Sequence, residues 1–136
     1  AVATEVADES DGDFSPDGHW LAYVSRKTGR YEVFLVPFPS VDTPRQVTTS
    51  GGTGPRWDAS GRLYYLSNGN IMAQAVDLAA GRAVGAASVV FGTNAVDFDV
   101  TRDGQRFLLE VPNSRPDHPS LYVRTNWFDE IRNKVK

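Results

Sequence analysis

Three observations predict an all-β fold built from repeated antiparallel sheets of four strands. The first is repetition. Asp13-Phe14-Ser15-Pro16-Asp17-Gly18, followed after His19 by Trp20-Leu21-Ala22-Tyr23-Val24-Ser25, returns as Trp57-Asp58-Ala59-Ser60-Gly61-Arg62-Leu63-Tyr64-Tyr65-Leu66-Ser67, one residue shorter after its glycine. It returns again as Val100-Thr101-Arg102-Asp103-Gly104-Gln105-Arg106-Phe107-Leu108-Leu109, and the turn glycines Gly18, Gly61 and Gly104 stand 43 residues apart each time. A fixed period in the low forties with several strands per period is the mark of propeller blades. The second observation is turn chemistry. Pro16 suits the second position of a β-turn because its ring fixes φ, and the glycine beyond Asp17, like the one beyond Asp103, supplies the positive φ that closes the turn. The third is that the strands after each turn are nearly continuous apolar runs. A sheet with one wet face alternates, so continuous apolarity means that both faces are covered. Blades stacked face to face provide that cover. A lone sandwich is the plain competitor, and the even period favours blades.

The elements follow in order. Residues 1–7 are a short, weak strand candidate, and residues 8–12 are acidic, polar and loop-like. The first strand of repeat one is very short and ends at Ser15; residues 20–25 and 31–36 are its second and third strands, joined by the polar loop 26–30. Pro37 and Pro39 end the ladder, since proline offers no N–H. Residues 45–49 form a polar fourth strand, short and charged as an outer edge should be. Repeat two has strands near 56–58, 63–67, 71–76 and 87–91; Asn68-Gly69 is its hairpin turn, and Gly81 and Gly85 flank the next one. Repeat three has strands near 96–100, 107–111 and 121–125, and no fourth. Instead, Asn126 is placed to cap a helix over residues 127–135, with Trp127, Phe128, Ile131 and Val135 on one face. The expected architecture is one partial propeller domain over residues 1–136: about three four-stranded blades (8–50, 51–93 and 94–125) and a short C-terminal helix.

Bulk composition narrows the partners. The chain has 136 residues, 40% hydrophobic and 23% charged, with a net charge of −3 and both signs scattered. That gives no support for nucleic-acid binding, which leaves a basic stripe. The absence of cysteine excludes disulfides and thiolate metal sites and leaves the compartment open. No run approaches the length of a membrane helix, so no membrane contact is expected of this segment. No basic, apolar leader opens the chain.

The repeat Phe14-Ser15-Pro16-Asp17-Gly18 with Trp20-Leu21-Ala22-Tyr23-Val24-Ser25 resembles that of TolB-type, WD-like bacterial β-propellers. Residues 30–39, 51–57 and 63–68 are similar to one branch of that group, in which a propeller follows a bacterial serine/threonine kinase or a transcription-regulator domain. The ending Leu121-Tyr122-Val123-Arg124-Thr125-Asn126-Trp127-Phe128 is similar to the Asn-Trp or Asn-Trp-Phe tail of that branch. Two repeats depart from the pattern: Ala59-Ser60-Gly61 replaces an Asp-Gly turn, and Val100-Thr101-Arg102 replaces Phe-Ser-Pro. The resemblance implies a propeller at the C-terminal part of a larger signalling protein, in an extracytoplasmic or periplasmic setting, and no catalytic residue carries over from it.

The apparent chemical motifs are weak. Asp13-x-Ser15-x-Asp17-Gly18 imitates the start of a calcium loop, but the twelfth position, which must supply a bidentate Glu, is Val24. Asp8, Glu9, Asp11 and Asp13 read as a solvated acidic loop. Gly51-Gly52-Thr53-Gly54 lacks the Gly-Lys-Ser/Thr ending of a phosphate loop. His19 beside a turn and His118 between prolines sit in no hydrolase or metallopeptidase frame. Trp20, Trp57, Trp127, Tyr23, Tyr64 and Tyr65 could form a ligand platform, although core packing between blades is the plainer use of such side chains. No cofactor, metal or catalytic residue is expected. Asp13, Arg56, Trp57 and Asp97 are the candidate binding surface, and Gly18, Gly61, Gly104, Asp17 and Asp103 the structural turn residues.

Two function classes remain. One is a non-enzymatic propeller that binds a protein, peptide or small ligand. The other is the accessory propeller of a prolyl-oligopeptidase-like serine peptidase whose catalytic domain lies elsewhere. Three blades make an open arc, whereas propellers close with about four to eight. The expected partner is therefore a second copy, two chains closing a six-bladed ring with residues 2–6 of each completing the third blade of the other, or else the remainder of a larger propeller.

Overall fold

The computed structural model describes residues 10–40, 42–112 and 120–125. The expected N-terminal strand 1–7, most of the loop holding His118, and the C-terminal helix 127–135 lie outside the described residues. Among the described residues, eleven strands form three antiparallel sheets. The first blade comprises β1 (Ser10–Phe14), β2 (Trp20–Ser25), β3 (Glu32–Pro37) and β4 (Arg45–Gln46), hydrogen-bonded in that order. The second comprises β5 (Thr53–Trp57), β6 (Leu63–Ser67), β7 (Asn70–Asp77) and β8 (Arg82–Gly92), again in chain order. The third holds β9 (Asp97–Val100), β10 (Arg106–Val111) and β11 (Ser120–Thr125) among the described residues. Every connection is therefore up-and-down, and β5 touches both β1 and β9, so the first strands of the blades lie side by side. This is the architecture of propeller blades.

Three expectations need correction. Residues 10–12, read as acidic loop, belong to β1. They pair with β2 through an irregularity between Ser10 and Asp13, and a side chain at Gly12 would stand 3.3 Å from Leu21 Cδ1, so glycine permits the close approach. The fourth strand of blade one is only Arg45–Gln46. The Val33 N–H that would extend the ladder instead donates to Thr48 Oγ1 at 2.9 Å, and Val47 and Thr48 both donate N–H to the Val33 carbonyl. The outer strand of blade two is much longer than expected, because Gly85 is not part of the turn. It lies inside β8 at a register shift, with φ of 68°, and the Gln74 amide donates to the carbonyls of Ala75, Val84 and Gly85. The turn between β7 and β8 is made by Asp77, whose carboxylate accepts the N–H groups of Ala79 and Ala80.

The cores lie between the blades. One face of blade one, Trp20, Ala22, Val33 and Leu35, packs on Trp57, Leu63 and Tyr65 of blade two. The other face of blade two, Tyr64, Ile71, Ala73 and Phe91, packs on Phe98, Phe107 and Leu109 of blade three. Phe107 sits at the centre of that layer, edge-on to both Tyr64 and Phe91 with ring centroids 5.3 Å away. The outward face of blade one carries a separate buried cluster of Tyr23, Phe34 and Val36. Trp20, Trp57, Tyr23, Tyr64 and Tyr65 are thus core residues rather than a ligand platform.

Trp20 locks blade one to blade two. Its indole N–H donates to the Leu78 carbonyl at 2.7 Å, and Arg45 lies over its ring while donating to the carbonyls of Ala80 and Gly81. A Cβ on Gly81 would fall 1.9 Å from Trp20 Cη2, and its φ is +68°. Gly18 has φ of +76° with nothing within 4 Å of a would-be Cβ. The two glycines therefore separate backbone strain from steric exclusion. Gly18→Ala should cost about 1 kcal/mol through strain alone. Gly81→Ala adds overpacking and should cost about 2–4 kcal/mol in all. Urea unfolding of both variants checks this; equal losses would mean that the Trp20–Gly81 contact is not tight.

Candidate functional site

Among the sequence-predicted binding residues, the structure makes two separate pairs. Asp13 on β1 and Trp57 on β5 bond across the first junction. Asp13 Oδ2 accepts the Trp57 backbone N–H and the Asp13 carbonyl accepts the indole N–H, both at 3.0 Å. Trp57 is buried, so this pair ties inner strands together. Arg56, its neighbour on β5, points the other way along the strand's alternation. Its Nη2 lies 3.6 Å from Oδ1 of Asp97 on β9, and Nη1 donates to the Pro55 carbonyl at 2.8 Å. Arg56 and Asp97 line a cavity of about 250 Å³ with Phe98, Asp99, Leu108 and Glu110 on the outward side of blade three.

The turn residues form a repeated hydrogen-bond device at the opposite end of the strands from the β2–β3 loop. Ser15 Oγ donates to Asp17 Oδ1 at 2.5 Å, and the same carboxylate oxygen accepts the His19 N–H. Thr101 and Asp103 repeat the arrangement at 2.6 Å, with Gln105 N–H as the backbone donor. Blade two exchanges the partners: Asp58 holds the carboxylate, and Ser60 supplies the hydroxyl at 2.6 Å. Asp58 was not singled out from sequence. The signal was the inverted order Asp58-Ala59-Ser60 against Ser15-Pro16-Asp17. The exchange frees Asp58 Oδ2 to accept the buried Tyr64 hydroxyl at 2.9 Å, while the Ala59 N–H donates to the Arg102 carbonyl of the next blade. Gly104 comes so close that a Cβ there would lie 2.7 Å from Asp58 Oδ2. The φ values at Gly18, Gly61 and Gly104 are 76°, 91° and 72°.

A second concavity, of about 490 Å³, lies at the end where the β2–β3 loop, the β6–β7 turn and the crossings into β5 and β9 gather. Arg30, Tyr31, Ser50, Asn68 and Val96 are among its lining residues. Tyr31 and Val96 are exposed, and Arg26 lies over the Tyr31 ring. The floor is held by Glu32, a buried carboxylate. Its Oε1 accepts the Thr48 hydroxyl at 2.6 Å and the Gly51 N–H at 2.8 Å, and Arg30 Nε lies 3.7 Å from Oε2. A buried charge persists only when partnered in this way. Sequence reasoning passed over Glu32 because it opens an apolar run and looks like a strand edge. Among the described residues, no group of three or more His, Cys, Asp or Glu is placed to hold a metal ion, and His19 is exposed.

No protein-family model matches the sequence, and no curated protein does. Solved structures do. TolB from Acinetobacter baumannii superposes with a TM-score of 0.64 at 14% identity, over 88% of this chain and 30% of its own. A putative TolB from Agrobacterium tumefaciens gives 0.63 at 19% identity, over 85% of this chain and 42% of its own. An oligogalacturonate lyase from Vibrio parahaemolyticus gives 0.57 at 15%, over 73% of this chain and 27% of its own. Likeness at such identity establishes the fold, a TolB-type β-propeller, and the chain spans less than half the length of each of these proteins.

The turn device has a pH signature. The Ser15 hydroxyl, then the His19 N–H, hold the Asp17 carboxyl below its ordinary value, and Thr101 and the Gln105 N–H do the same for Asp103. Such carboxylates stabilise the fold above the ordinary aspartate value, and the contribution is lost as pH falls below it. Burial, then the Asp58 charge and hydrogen bond, push Tyr64 up, so its contribution is complete below the ordinary tyrosine value and fades as pH rises past it. Carboxyl-carbon NMR titration should place Asp17 low in the wild type and higher in Ser15→Ala, with Asp103 unmoved. An Asp17 titration indifferent to that change would contradict the assigned cause.

Proposed function

We propose that the chain is a non-enzymatic propeller module that binds a protein, peptide or small ligand in the groove between Tyr31 and Val96, as the sensing part of a larger signalling protein. The observation that carries the reading is that groove. It offers exposed Tyr31 and Val96 for an apolar group and Arg30 for an anionic one, on a floor pinned by Glu32. Concave sites that combine apolar surface with a few placed polar groups are the usual form of a ligand pocket. Loops carried on a rigid scaffold are the usual place for it. The groove holds no nucleophile–base pair among its lining residues, and the reading requires no cofactor. The signalling context and an extracytoplasmic location are supported by the resemblance to propellers that follow kinase or regulator domains. Among the described residues, no helix is long and apolar enough to cross a membrane.

The test is an amide NMR titration of the labelled chain with a library of acidic peptides and small carboxylates, beside turnover assays with ester, peptide and phosphate substrates. Shifts confined to Tyr31, Thr53, Asn68 and Val96, reduced about tenfold in affinity by Tyr31→Ala, are expected, with no turnover; a lost aromatic contact of about 1.4 kcal/mol corresponds to that factor. Binding that maps elsewhere, or activity abolished by His19→Ala, would overturn the proposal.

A further inference from the structure

A third concavity, of about 400 Å³, opens between blade one and blade two, where the crossing 47–51 faces β7 and β8. Both of its walls lie inside the chain, so the outer faces of blades one and three play no part in it. The register of blade two makes the hollow. Ala73 pairs with Ser88 and Ala75 with Val84, so Gly85, Ala86 and Ala87 bow out opposite Gln74 alone. Bulges of this kind are over-represented beside functional sites. Tyr65 opposes Met72 across β6 and β7, and Gln74 follows on the same face of β7, so the three share one wall. Val47 and Thr49 line the other side, and no Asp, Glu, Lys, Arg or His lines the cavity.

Two polar side chains of that wall are buried with a group left over. Tyr65 is 5% exposed and Gln74 4%. The Gln74 amide nitrogen donates to the carbonyls of Ala75, Val84 and Gly85. Those three acceptors fix which way the amide points, and Oε1 meets no donor among the described residues. The Tyr65 hydroxyl has no hydrogen-bond partner among them either. Burial, then the Glu32 charge, push its pKa up, so it keeps its proton and can donate. Neither atom is sealed from solvent, and the cavity is the opening that both side chains line. Buried polar groups normally have partners, so the pair points to something that enters. We propose that the cavity is a second binding site, which takes an uncharged amide carrying a short apolar group. The amide N–H donates to Gln74 Oε1, its carbonyl accepts the Tyr65 hydroxyl, and the apolar group lies against Met72 and Val89, which oppose each other on β7 and β8. A charged ligand would meet no counter-charge here, whereas the volume lies in the roughly 300–1,000 Å³ range of small-molecule sites.

The test is an NMR titration of the full labelled chain with N-acetyl-leucinamide, beside its anionic counterpart N-acetylleucine. Ser50, Gly51, Ser67 and Asn68 line both this cavity and the Tyr31–Val96 groove, so the diagnostic signals are Met72, Val89 and the Gln74 side-chain amide. These should move with the neutral probe, at a dissociation constant on the order of 1 mM for so small a ligand, and stay still with the anion. Tyr65→Phe keeps the ring in the core and removes only the hydroxyl; it should weaken binding about fivefold while leaving urea unfolding unchanged. Val89→Asp, at an exposed position, should abolish binding by bringing a charge to the cavity wall. No movement at ten times the expected dissociation constant, movement at Tyr31 and Val96 without Met72 and Val89, equal response to the anion, or Tyr65→Phe binding as tightly as the wild type would each overturn the proposal.

Discussion

The structure depends on sheets pressed face to face, and at one point of that contact the Trp20 ring lies so close over Gly81 that no side chain fits between them. A four-stranded sheet has two faces and no interior of its own, and at the two junctions those faces are buried by the neighbouring blade. Blade one supplies the large ring, and blade two supplies the bare backbone and the Leu78 carbonyl that receives the indole N–H. Arg45 then covers the ring from the short outer strand. At the second junction the bulk is reversed, because Phe107 projects backward from blade three among Tyr64, Phe91 and Phe98. The same mechanical problem is solved twice with different side chains, which is why the repeat is visible in its turns more than in its core.

Polar groups at the junctions keep this stacking in register. Asp13 takes two donors of Trp57, one of them through its carbonyl, and Asp58 reaches across toward Gly104 while its other oxygen caps its own turn. Glu32 fixes the crossing from blade one to blade two by holding Thr48 and Gly51. The groove that we assign to ligand binding is built on this crossing. Its lining comes mostly from loops and crossings, and Glu32 ties one of those crossings to blade one.

The period, the turn glycines and the apolar second and third strands were legible in the sequence, because each follows from a local rule: positive φ after an Asp or Ser, and continuous apolarity where both faces are covered. Outer strands were legible only in part. Nothing local says that Thr48 will spend its hydroxyl on Val33 and Glu32 and so end β4 at Gln46, or that Gln74 will support a bulge at Gly85 and let β8 run to Gly92. Both depend on side chains distant in sequence. The candidate surface was the least legible. Asp13, Arg56, Trp57 and Asp97 do lie on inner strands, yet Trp57 is spent on packing, and the more open concavity is lined by Tyr31, Asn68 and Val96, which look like ordinary loop residues.

If the junctions, rather than the individual sheets, carry the stability, then damage on one side of a junction must be felt on the other. Native-state hydrogen exchange on the Trp20→Ala variant tests this most directly, since that substitution should cost about 3–5 kcal/mol. The account predicts that amides of β6 and β7 in blade two lose protection together with those of β2 and β3 in blade one. Loss confined to blade one, with β6 and β7 exchanging as in the wild type, would contradict it.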